Sequence, residues 1–75
     1  MYYFELKRIG KDIHKLLGLQ WDVVEIGGKD HHNLWIYMNG PENINEIKSY
    51  LNENRIKAYT WIEQEENIFV VEMIQ

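Results

Sequence analysis

Two segments, Leu34-Trp35-Ile36-Tyr37-Met38 and Ile68-Phe69-Val70-Val71, are apolar at every position. Their length and their β-branched and aromatic content mark them as β-strands, Leu34–Met38 and Ile68–Ile74. Side chains alternate between the two sides of a strand, so both sides of these strands need cover. The chain has only 75 residues. That length predicts a single domain, residues 1–75, built of two packed layers. Two layers cover only one side of a sheet, and this conflict governs every reading of the chain.

The remaining elements follow from periodicity. Tyr2, Leu6, Ile9, Ile13 and Leu16 recur at helical spacing, with Leu17 beside them and Arg8, Lys11 and Lys15 on the opposite face. Gly10 interrupts this pattern, and Gly18 suits a helix C-cap. A competing reading makes Tyr2–Leu6 a short strand and begins the helix near Gly10. A second helix follows the Asn39-Gly40-Pro41 turn, with Ile44, Ile47 and Leu51 as its apolar stripe. Asn43 and Glu46 have the spacing of a capping box, and Asn52-Glu53-Asn54 ends the helix. Two further strands are read at Trp21–Ile26, before Gly27-Gly28, and at Ile56–Ile62, before the polar run Glu63–Asn67. Short polar connections make each strand pair an antiparallel hairpin.

The predicted order is αββαββ, an α+β fold with a four-stranded antiparallel sheet and two helices on one face. A shift of 34 residues aligns Ile13 with Ile47, Leu17 with Leu51 and Asn33 with Asn67. Identities over the overlap are few, but the pattern reads as a pseudo-twofold αββ repeat. The second strand of each hairpin then meets the other at the sheet centre. The layout resembles a circularly permuted ferredoxin-like fold, a likeness of architecture that implies no activity. The expected core is Ile13, Leu17, Leu34, Ile36, Ile47, Leu51, Ile68 and Val70.

The second face is then expected to carry Trp35, Tyr37, Tyr59, Trp61, Phe69, Val71 and Met73. Large apolar patches on a soluble protein mark interaction sites, and aromatics and Met are enriched in interface cores. The expectation is a homodimer interface or a surface for another protein. The competing reading folds the first ten residues across this face.

Composition narrows the function. The chain has no cysteine, so a disulfide framework and a thiolate metal site are excluded. Charged residues recur too often for a membrane span, and Glu5, Lys7 and Arg8 interrupt any signal-peptide core. A cytoplasmic location is expected. Asp30-His31-His32 matches the tripeptide of one phosphoesterase family, but those enzymes need further aspartate motifs and the chain has three Asp. Neighbouring histidines on a strand point apart, so no metal site is expected. Ser49 and Thr60 sit in no nucleophile motif, and Glu63, Glu65 and Glu66 form an acidic turn. Neither a catalytic residue nor a cofactor is expected.

Eight basic residues against twelve acidic ones disfavour nucleic acid as the partner of an aromatic sheet. The charge is uneven, because residues 38–75 carry three positive and seven negative side chains. An acidic half attracts basic protein surfaces. The expected function is a small non-enzymatic protein-interaction module, homodimeric, with an inhibitor from a phage or mobile element as its most concrete form. The alternative is nucleic-acid or small-ligand binding through the aromatic face.

Overall fold

The computed structural model describes residues 2–28 and 31–74. The elements are α1 (Tyr3–Leu17), β1 (Gln20–Glu25), β2 (His32–Tyr37), α2 (Glu42–Glu53), β3 (Ala58–Glu63), a 3-10 turn (Gln64–Glu66) and β4 (Ile68–Met73). The order αββαββ is the expected one. All four strands pair antiparallel in the order β1-β2-β4-β3, which puts β2 and β4 at the centre.

Tyr3–Leu17 is one continuous helix, so the short-strand reading of Tyr2–Leu6 is corrected. Leu6, Ile9 and Ile13 are buried, and the last turn presents the expected core residue Leu17 to the cluster, while Leu16 of the same stripe is exposed. Gly18 ends the helix at φ 73° and donates its amide to the His14 carbonyl at 2.8 Å. Only glycine takes this left-handed conformation without steric cost.

α2 begins two residues earlier than a cap at Asn43 implies. Pro41 stands just before it with φ −64°, already suited to a first helical turn. Asn43 therefore lies inside the helix and is not its cap. Its Oδ1 instead accepts the amides of Asn39 at 2.8 Å and Gly40 at 3.2 Å, while its Nδ2 donates to Glu46 Oε1 at 2.7 Å. The two side chains of the expected capping box meet, but no side chain caps the helix, and it is Asn43 Oδ1 that pins the β2–α2 turn.

Leu6, Ile9 and Ile13 of α1 and Ile47 and Leu51 of α2 share one core cluster with Leu34, Ile36, Phe69 and Val71. Both helices therefore cover the same side of the sheet. The register sets Leu34 opposite Val71 and Ile36 opposite Phe69, so these four point together. This corrects the expected faces. Phe69 and Val71 are core residues under the helices, Met73 packs against that core, and Ile68 and Val70 turn to the other side. A shift of one residue in register exchanges the faces of a whole strand, and nothing in a strand apolar on both sides reveals which occurs.

The molecule is flat, 33 × 28 × 18 Å, with 5237 Å² of accessible surface. A monomer of this mass is expected to expose roughly 4,900 Å². The difference fits a two-layer build in which one face of the sheet has no helix over it. The reading that residues 1–10 cross that face is corrected, because α1 packs on the opposite side.

Candidate functional site

The uncovered face is built from alternate positions of each strand. β1 supplies Gln20, Asp22 and Val24, and β2 supplies Asn33, Trp35 and Tyr37. β4 supplies Ile68, Val70 and Glu72, and β3 supplies Tyr59, Trp61 and Glu63. Of the seven expected interface residues, Trp35, Tyr37, Tyr59 and Trp61 lie here. Phe69, Val71 and Met73 lie on the other side, for the reason of register given above. Sequence reasoning missed Asp22, Val70 and Glu72 as their neighbours. The pairing of Trp35 and Trp61 with a common partner becomes visible only once the register is known.

Val70 sits at the centre of this face, directly opposite Trp35 on β2 and Trp61 on β3. It is 1% exposed although no helix covers it. Two flanking indoles account for that burial, so the aromatics have a structural role. They also remain available to a partner: Tyr59 is 61% exposed and Trp61 40%. The face thus offers ring surface without leaving its aliphatic centre wet.

Carboxylates are set among the rings. Glu63 Oε1 accepts a hydrogen bond from Trp61 Nε1 at 3.1 Å. Glu72 Oε2 lies 2.8 Å from His31 Nε2. Asp22 stands directly opposite Trp35. No Lys or Arg occupies any of the twelve strand positions of this face. Asn33 is 4% exposed, and its Oδ1 meets no hydrogen-bond donor among the described residues.

Lys57 stands one step before β3 in phase with Tyr59, and three further basic side chains lie in the other layer. Arg8, Lys11 and Lys15 are exposed on α1, in the helical layer. Phe4, on the same helix, is 79% exposed. The aromatic face and the basic stripe of α1 therefore belong to opposite layers, and the twelve strand positions of the face give a nucleic-acid strand no cation beside the rings.

A cleft of about 310 Å³ is lined by Arg8, Ile9, Asp12, Tyr50, Asn54 and Ile56. Its chemistry is a tie between the helices. Tyr50 donates its hydroxyl proton to Asp12 Oδ2 at 2.7 Å. Burial, then that hydrogen bond and the Asp12 charge, push the phenol up to about 12, against a smaller opposing pull from Arg8. A phenol held protonated and already bonded is no ready base.

His31 faces Glu72 on the uncovered side, while the His32 ring stands edge-on to Tyr3 at 5.3 Å. The two imidazoles diverge, as strand alternation requires. Asp30, the third member of that tripeptide, lies outside the described residues. Among the described residues no group of three or more His, Asp or Glu side chains is placed to hold a metal. No helix among them is long and apolar enough to cross a membrane. No protein-family model, curated protein or solved structure matches the chain.

Proposed function

We propose that this chain is a non-enzymatic protein-interaction module that binds through the uncovered face of its sheet, and that its partner is a protein presenting Lys and Arg side chains. One observation carries the reading: aromatic rings and carboxylates share that face, and no Lys or Arg stands at its strand positions. Ring faces attract ammonium and guanidinium groups, and carboxylates beside them supply the counter-charge. Asp22, Glu63 and Glu72 also weigh on the choice of partner. Two copies meeting face to face would set these carboxylates against one another, which costs affinity. A foreign basic surface has no such penalty. An inhibitor that occupies the basic surface of another protein is the most concrete form of this role. The strand order β1-β2-β4-β3 also fits a permuted ferredoxin-like layout with pseudo-twofold halves, a likeness of architecture that carries no function.

The test is a titration of the whole chain with a short Lys- and Arg-rich peptide, followed through the indole N–H signals of Trp35 and Trp61. An acidic peptide and a single-stranded oligonucleotide serve as comparisons. The basic peptide should move both signals, with a response that weakens as salt rises. Glu63→Gln with Glu72→Gln should reduce the response, and Glu42→Gln with Glu53→Gln on α2 should leave it. Indole signals that move with the oligonucleotide and not with the basic peptide would sink the proposal.

A further inference from the structure

The sheet has two free edges, and they are chemically unlike. β1 carries Asp22 near its middle. A charge there discourages the addition of another strand. β3 carries charge only at its ends. Lys57 precedes it, Glu63 closes it, and Ala58, Tyr59, Thr60, Trp61 and Ile62 between them are uncharged.

The backbone of β3 is presented in a defined phase. Ile74 donates its amide to the Lys57 carbonyl at 3.4 Å, one step beyond the Ala58–Met73 pair. Antiparallel hydrogen bonding alternates from residue to residue. Lys57, Tyr59 and Trp61 therefore turn their backbone groups toward β4. Ala58, Thr60 and Ile62 turn theirs toward the open edge.

About Thr60 this edge is chemically self-complementary. Two copies of β3 run antiparallel about a twofold axis at Thr60 would set Thr60 opposite Thr60, Tyr59 opposite Trp61, Ala58 opposite Ile62 and Lys57 opposite Glu63. Each matched pair lies on one side of the sheet, as the pleat requires. The pairs are aromatic with aromatic, apolar with apolar, and cation with anion, the combinations that stabilise neighbouring strands. The outward amides and carbonyls of Thr60 meet their own copies, and those of Ala58 meet Ile62. β1 offers no such match. An axis at Asp22 sets two carboxylates together, and an axis at Val23 sets Asp22 against Val24 and Trp21 against Glu25.

We propose that a second copy of this chain docks on β3, edge to edge, and joins the two four-stranded sheets into one continuous antiparallel sheet. The inference stands on the edge alone and does not depend on what binds the uncovered face. The interface is isologous and closed by its twofold axis, so it produces a dimer and not a fibre. It satisfies the outward backbone groups of β3 and sets each Tyr59 beside the Trp61 of the other copy, leaving the uncovered face open.

Sedimentation equilibrium of the whole chain tests this. The wild type should be dimeric in the micromolar range. Lys57→Glu and Glu63→Lys each set like charges opposite one another at two symmetry-related places, and each should weaken the dimer about tenfold. The double variant restores opposite charges and should return the affinity to within about twofold of wild type. Thr60→Pro removes an outward amide and no bond to β4, so it should give a folded monomer, with circular dichroism as the check on folding. A wild type monomeric at high micromolar concentration overturns the proposal. So does a double variant that stays as weak as the single ones, or a dimer that Trp35→Ala abolishes while the charge variants leave it intact.

Discussion

The indole of Trp21 lies against Gly10 so closely that a Cβ there would overlap the Cδ2, Cε3 and Cγ atoms of the ring. Trp21 belongs to β1 on the helix-covered side, directly opposite Ile36. Gly10 is buried in the middle of α1. The glycine that weakens the helical pattern in the sequence is thus where α1 and β1 approach each other.

This relationship fixes the sign of a substitution. Gly10→Ala favours the helix by roughly 1 kcal/mol on propensity alone. Overpacking against the indole costs about 1–3 kcal/mol and should prevail. Denaturant unfolding of Gly10→Ala should show a net loss of stability. Trp21→Val in the same chain should make the alanine neutral or favourable, because the obstructing ring is gone. An alanine that stabilises the wild-type background would show that Trp21 moves aside freely.

Asn43 gives a second prediction. It is buried, and its Oδ1 is the acceptor for the Asn39 and Gly40 amides. Asn43→Ala leaves both donors without that partner and should cost about 1–3 kcal/mol. Glu46→Ala removes only the outer bond from Asn43 Nδ2 and should cost less. Equal losses in thermal unfolding would mean that the side-chain pair, not the turn, is the stabilising unit.

The faces of β4 are tested by truncation. Phe69 is fully buried under both helices, and Phe69→Ala should cost about 3–5 kcal/mol. Val71→Ala should open the same core. Val70→Ala should instead change the environment of Trp35 and Trp61, its direct cross-strand neighbours, and shift their fluorescence. A fluorescence change from Val71→Ala confined to those two indoles would mean that the strand faces are reversed.

Tyr50 predicts a pH dependence. Its hydroxyl is pushed from about 10 up to about 12 in the folded chain. The unfolded chain therefore releases this proton first, and unfolding is favoured as the solution becomes more alkaline. The stability contributed by the contact is complete below the unfolded value and is lost as pH rises through the folded one. Wild type should lose more stability than Tyr50→Phe between pH 10 and pH 12. Parallel curves for the two proteins would show that the bond to Asp12 gives no preference for the protonated phenol.

The sequence by itself determined the order of the elements, the two hairpins, and the identity of β2 and β4 as central strands. Those features follow from short-range signals: helical spacing around Ile9 and Ile13, glycine at the end of α1, and two runs apolar at every position. It also showed that one sheet face had to remain outside the helical layer, because 75 residues supply only two layers. Tertiary structure decided which side chains occupy that face. Trp35, Tyr37, Tyr59 and Trp61 were legible because in β2 and in β3 the large aromatics all fall on one alternation of the strand. Phe69 and Val71 were not, because β4 is apolar on both sides and its phase is set by the hydrogen-bonded ladder to β2. The roles of Gly10 and Asn43 were hidden for the same kind of reason. A close approach and a buried acceptor are relations between segments, and local spacing encodes neither.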